Sequence, residues 1–416
     1  LLLLCSLLTN AQDKKTIGLE DAIDLSLKNS KQLKNDQAKI EEATAALREA
    51  NEKKLPSASV SGAYMRLNSP NLDLKNKNNS GSSGSSEPPN VSQAMYGIVN
   101  ISLPVYQGGK IRYGIESAQF LQKAVRLDAE SQKDEVIQNT IEAFANLFKA
   151  GTAVRLVTEN LEQSRERERE LSDLEKNGLL ARNDLLKAQL QTSNVELSLL
   201  DAQNNLAIAN LNMNLMLGLA PETQLALDTA GIEKKNDSRV MEDFVQQAFS
   251  NRKDITALDY RKKAAESSVK STAAEKYPSL QLTGGYIAAD VPKVFSVTNA
   301  VNIGVGVSYN ISSLWKTKSK VQQAEARVKQ LAIQGSILDD NVRLQVSRNY
   351  LSLVSYRKKI EVYAKAVEQA RENYRIVNNK FNNSLATLSD LLDADVAQLQ
   401  ATMSYTLARA DAFVAY

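Results

Sequence analysis

Two carboxylates near the C-terminal end of the chain, Asp390 and Asp393, stand three residues apart, so a helix places both on one face. Their first chemistry is local. Ser389-Asp390 are residues that cap a helix N-terminus, and Asp393 in the following turn complements the positive end of the helix dipole. Asp184 occupies the equivalent position 206 residues earlier, but Lys187 stands where a partner to match Asp393 would be, so Asp184 reads as a helix cap. No other constellation offers catalysis. Histidine is absent and the only cysteine, Cys5, lies in an N-terminal apolar run, so neither a His-based triad nor a His/Cys metal site can be built. No catalytic residue, metal site or cofactor is expected. The balance of 51 basic and 48 acidic residues, net +3, with no Lys/Arg block interleaved with aromatics, argues against a nucleic-acid partner.

The elements that must carry these carboxylates are long helices. Prolines occur only at positions 56, 70, 88, 89, 104, 221, 278 and 292, which leaves Val105–Ala220 and Lys293–Tyr416 free of them. Both spans are rich in strong helix formers, and apolar residues recur at helical spacing, as in Ile137, Ile141, Phe144, Phe148 and Val342, Val346, Tyr350, Leu353. One break recurs in each, Asn177-Gly178-Leu179-Leu180 and Asn383-Ser384-Leu385-Ala386, where a glycine or small polar residue ends one helix before the next begins. Each span is therefore a helical hairpin. Its first arm runs from Lys110 to about Asn177, or from Lys316 to about Asn383, which is roughly 100 Å at 1.5 Å per residue.

The correspondence extends over the whole chain. At an offset of 222, Asp21, Asn29, Lys31, Lys54, Pro56, Gly62 and Tyr64 meet Asp243, Asn251, Lys253, Lys276, Pro278, Gly284 and Tyr286. At an offset of 206, Val99, Lys110, Leu179, Asp184 and Ala188 meet Val305, Lys316, Leu385, Asp390 and Ala394. The first copy thus holds sixteen extra residues between Tyr64 and Val99, and each copy is a structural unit. The expected organisation is a first repeat over 12–217, with a helix, strands at 57–66 and 97–106 and a hairpin tip at 177–184. An inter-repeat linker at 218–240, with short strands around Leu225 and Leu227, precedes a second repeat over 241–416, with a helix, strands at 279–288 and 302–311 and a tip at 383–390.

The strand segments alternate with period two. Ile303, Val305, Val307, Tyr309 and Ile311 interleave with Gly304, Gly306, Ser308 and Asn310, and Val99, Ile101, Leu103 and Val105 with Asn100, Ser102 and Pro104. Such alternation suits a half-buried soluble sheet or a membrane β-barrel strand. The sixteen-residue excess, containing Ser80-Gly81-Ser82-Ser83-Gly84-Ser85-Ser86, reads as an exposed flexible loop. Residues 1–11 read as a signal-peptide remnant cut after Ala11, the alternative being an apolar terminus; Leu4 before Cys5 is unsuited to a lipoprotein signal. The absence of Met and of a basic stretch before Leu1 suggests that the sequence starts inside that signal. At the other end the first copy's helix outlasts the counterpart of Tyr416, which suggests that residues follow it. No other stretch is apolar enough for a transmembrane helix.

Four strands cannot close a membrane barrel, so strands in lipid require oligomerisation; three chains supply twelve strands, wide enough for a pore. The chain resembles the TolC-like outer membrane efflux channels. The carriers are Leu19-Glu20-Asp21-Ala22-Ile23 through Asn29, Leu55-Pro56-Ser57 with its echo Tyr277-Pro278-Ser279, and Gly178 followed by Asp184-Leu185-Leu186 and Ala188-Gln189. The resemblance implies a mainly α protein with membrane β: internally duplicated helical hairpins forming a periplasmic α-barrel, and four strands per chain in a trimeric twelve-stranded outer membrane β-barrel. It implies a passive exit duct in a Gram-negative outer membrane, contacting outer membrane lipid and serving a tripartite efflux pump or type I secretion system. The partners would be a periplasmic adaptor (membrane fusion protein) and an inner membrane RND or ABC pump. It assigns Asp390 and Asp393 to a carboxylate ring at the periplasmic gate, where crowding would raise some pKa values. Gly178, Leu179, Leu180 and Ser384, Leu385, Ala386 become adaptor docking tips, the alternative being that the apolar turn residues only staple each hairpin. Some members hold the closed gate with an arginine and a tyrosine whose positions here are Ala386 and Phe381, so this gate must be held differently or be looser. A structural coiled coil or adhesin without a pore is the alternative; it accounts for the helices but not for four matched alternating segments.

Overall fold

The computed structural model describes residues 15–68, 91–228, 239–292 and 294–415. The signal remnant 1–11 and the Ser/Gly loop lie outside the described residues. In chain order the elements are β1 Lys15–Ile17, α1 Leu19–Asn29, α2 Lys31–Glu52, β2 Ser57–Arg66, β3 Gln93–Tyr106, α3 Lys110–Lys176, α4 Arg182–Leu217 and β4 Leu225–Leu227. Then follow α5 Met241–Asn251, α6 Lys253–Ala273, a single 3-10 turn Ala274–Lys276, β5 Ser279–Val291, β6 Phe295–Ser308, α7 Ser313–Asn382 and α8 Leu388–Ala415.

Several bounds depart from the sequence expectation for identifiable reasons. The opening helix of each repeat is two helices; in the first, the Ser30 hydroxyl accepts the Leu33 amide at 3.2 Å and so caps α2 while α1 ends. β3 begins at Gln93 rather than 97, because Gln93 to Tyr96 pair with Arg66 to Ala63. β5 reaches Val291, and β6 spans Phe295–Ser308 rather than 302–311. Its end is fixed by Asn310, whose Oδ1 accepts the Ser312 amide at 3.2 Å and hydroxyl at 2.7 Å and turns the chain into α7, three residues before Lys316. The tips are shorter than the expected 177–184 and 383–390, since α4 starts at Arg182 and α8 at Leu388.

The compact units are not the two repeats; each draws on both. One comprises residues 38–127 and 256–336. It holds a four-stranded antiparallel sheet in the order β2-β3-β5-β6, so the β3–β5 seam joins the copies. Beside the sheet, Glu275 receives Lys110 and Lys320, each at 2.8 Å, and the two ammonium groups hold its carboxyl below the usual range.

The other unit comprises residues up to 37 together with 128–255 and 337–416. One of its cores gathers Ile17, Ala22, Phe144, Leu147, Met213 and Leu217. Here β1 and β4 form a parallel pair, Lys15 to Ile17 opposite Leu225 to Leu227. The linker strand expected near Leu225 thus has a partner too short for periodicity to reveal. Gly218 ends α4 at φ 68°, and a Cβ there would come within 2.8 Å of the Asn29 Cβ. Asn29 Nδ2 donates to the Leu217 carbonyl at 2.6 Å, so α1 is seated against the end of α4.

Candidate functional site

The two hairpin tips have one conformation written in two different residues. At the first, the Leu179 amide donates to the Leu174 carbonyl and the Gly178 amide to Glu175, both at 2.9 Å. At the second, Leu385 donates to Lys380 at 2.7 Å and Ser384 to Phe381 at 2.9 Å. This is the Schellman pattern, which needs a left-handed residue after the helix. Gly178 supplies it at φ 72° and Ser384, a residue with a Cβ, at φ 58°. Asn177 and Asn383 repeat the match, each donating its side-chain Nδ2 to the carbonyl four residues back at 2.7 Å.

The six tip residues divide by exposure. Leu179 and Leu385 are 74% and 76% exposed, at equivalent positions in the two tips. Leu180 instead packs with Phe381 and Leu392 against the buried Leu171, Leu185, Ala188 and Leu388. That cluster takes residues from both hairpins, and Phe381 serves it as an apolar side chain.

The carboxylates take three different environments. The cap of α8 is Thr387, not Ser389-Asp390: its Oγ1 accepts the Asp390 amide at 3.2 Å, while Asp390 Oδ2 accepts the Thr387 amide at 2.9 Å and hydroxyl at 2.6 Å. This reciprocal capping box holds the Asp390 carboxyl below its ordinary range, through the Thr387 hydroxyl first and its amide second. Within one chain the pull is thus opposite to the rise expected from crowding. Asp393 is exposed one turn on. Asp184 is likewise not a cap; the residue before α4 is Ala181, with no side-chain hydrogen bond, and Asp184 sits in the first turn, paired to Lys187 at 3.2 Å.

A fourth carboxylate, Asp395, escaped the sequence reading. It is 4% exposed and receives Arg167 Nη1 at 3.1 Å and Asn160 Nδ2 at 3.3 Å. Arg167 Nη2 in turn donates to the Tyr374 hydroxyl at 3.0 Å. Burial works against the Arg167 charge, but Asp395 and Tyr374 outweigh it and its pKa stands above the usual value. Arg167 lies in the run Arg165-Glu166-Arg167-Glu168-Arg169-Glu170, which reads as a solvated face. The available signal was on the other side: Asp395 falls among Leu388, Leu391 and Ala394, the buried face of α8.

The sheet separates its chemistry by face. Register places Val60, Val99, Tyr286 and Val301 in one row and Ile101 and Ile303 in the next, with Leu103, Leu282 and Val305 beyond them. Ile303, 90% exposed, typifies this face. The opposite face carries Ser59, Asn100, Gly285 and Asn302 in one row and Ser57, Ser102, Thr283 and Gly304 in another, while the row on the other side of Asn100, Ser61, Ile98, Ile287 and Ala300, is mixed. Water would drive such an apolar face to cover itself, whereas lipid would not. Trp315, exposed in the first turn of α7, follows the apolar face along the chain. No described helix is long and apolar enough to cross a membrane, and no metal-ligating cluster occurs among the described residues.

Comparison with known proteins agrees with this arrangement. BepC, an outer membrane efflux protein of Brucella suis, is 21% identical over 312 residues, 73% of this chain and 68% of that protein. The outer membrane protein VceC of Vibrio cholerae superposes with a TM-score of 0.78 at 20% identity, over 95% of this chain and 93% of its own. A membrane protein of Pseudomonas aeruginosa gives 0.82 at 14% identity, over 95% and 88%. The family model described as outer membrane efflux protein matches residues 22–219 and 244–415, one segment in each repeat. With nearly the whole of both copies accounted for, this chain belongs to the outer membrane efflux protein family.

Proposed function

We propose that the chain is one protomer of a homotrimeric exit duct that carries cargo from the periplasm through the outer membrane. The observation that carries this reading is the exposed apolar face of β2-β3-β5-β6, on a sheet whose edge strands β2 and β6 have no further partner among the described strands. Lipid accepts such a face only when the edges are closed, and three copies close twelve strands into a barrel wide enough to conduct. The row of Ser59, Asn100, Gly285 and Asn302 then lines its lumen.

In the same reading Asp390 and Asp393 of three chains form the acidic entrance, favouring cations over anions. Leu179 and Leu385, apolar and exposed at both tips, dock a periplasmic adaptor, which connects the duct to an inner membrane pump of the RND or ABC type. Extraction from outer membranes, crosslinking and planar-bilayer recording test the whole. The expected result is a detergent-dependent trimer that conducts. A monomer soluble without detergent, or a trimer that does not conduct, removes the duct and returns the helices to a structural coiled coil.

A further inference from the structure

The tips and the carboxylate pair leave one built feature without a role, the buried group of Asn160, Arg167, Tyr374 and Asp395. It joins three helices, α3, α7 and α8. Along α3 it is flanked by one core at Val157 and Leu161 and by the tip core at Leu171. Apolar side chains in those cores tolerate small slips of one helix over another. An ion pair with side chains 11% and 5% exposed does not, because a slip strands a buried charge.

The geometry of α8 gives this a consequence at the tip. At 100° per residue, Asp393 lies about 200° and Asp390 about 140° around the helix from Asp395, so the clamped face and the acidic pair point in nearly opposite directions. We infer that Arg167, through Asp395, sets the rotation of α8 about its axis and thereby aims Asp390 and Asp393, making Arg167 a positioning residue for the gate. This rests on the reading of that pair as the gate. Asn160 holds the same Oδ2 as Arg167, and Tyr374 orients the guanidinium from α7, so the second hairpin is held to the first in one register.

A paired substitution separates aiming from stability. Removing one partner leaves a buried charge and destabilises, but replacing both with apolar residues of similar volume is neutral or stabilising. Arg167→Met with Asp395→Leu, which strands only the neutral Asn160 amide, should therefore melt above either substitution made alone. In planar bilayers its cation over anion permeability ratio should nonetheless fall to that of an Asp390→Asn, Asp393→Asn channel. If the apolar pair keeps wild-type selectivity while Asp390→Asn, Asp393→Asn loses it, the clamp is overturned and the gate stands. If the neutralised gate also keeps its selectivity, the gate reading falls and the clamp with it. Should the apolar pair not assemble, Arg167→Gln with Asp395→Asn, which keeps the volumes but removes both charges, takes its place under the same outcomes.

Discussion

Thr387 and Asp390 cap each other: the threonine hydroxyl lies 2.6 Å from the aspartate Oδ2, and the aspartate amide 3.2 Å from the threonine Oγ1. The residue proposed for the gate is thus also a member of the structure that starts α8. Because its folded pKa is depressed, its contribution to stability is complete above the ordinary carboxylate value, near 4, and is lost as pH falls through the lower folded value. Asp390→Asn should therefore melt below wild type at neutral pH, with the gap closing in strong acid. Thermal melts across that range check it; a gap independent of pH overturns the assignment.

Gly178 and Ser384 hold the same left-handed position, and only one of them is a glycine. Ser384→Gly should stabilise the second tip and Gly178→Ser destabilise the first, each by about 1 kcal/mol, the usual cost of a Cβ in that conformation. Hydrogen exchange of the Leu179 and Leu385 amides reads the two tips separately.

Leu179 and its neighbour Leu180 should respond differently. Leu179→Asn with Leu385→Asn alters side chains that touch little, so stability should stay within about 0.5 kcal/mol while capture of the adaptor is lost. Leu180→Ala removes a side chain packed on the tip core and should cost about 2 kcal/mol. Melting temperature and adaptor co-purification, measured on the same variants, separate the roles.

At the seam between the copies, a Cβ on Gly285 would come within 2.5 Å of the Val99 carbonyl oxygen, and one on Gly97 would meet nothing within 4 Å. Gly285→Ala should cost about 1 to 3 kcal/mol by overpacking and lower the yield of assembled protein in the outer membrane. Gly97→Ala should leave that yield unchanged, as quantified on non-denaturing gels.

Local order was legible because it obeys local rules. The long helices followed from two proline-free spans, the tips from Asn177-Gly178 and its echo Asn383-Ser384, and the strand faces from alternation around Gly304 and Gly306. The caps were misassigned by a few residues for an equally local reason. Ser389, Asp390 and Thr387 are all competent at a helix start, and which one caps depends on where the Schellman turn at Ser384 releases the chain.

The sequence by itself determined that there are two copies, each with paired strands and a hairpin, because periodicity and offset are properties of residue order. It did not determine which parts share a core. Only the tertiary structure brought β3 beside β5 across the repeats, paired β1 with β4, and set Arg167 against Asp395 228 residues away. Those contacts depend on burial, and burial is decided by what another segment of chain leaves covered. An arginine within alternating charges and an aspartate beside leucines each look ordinary until the fold excludes water from both.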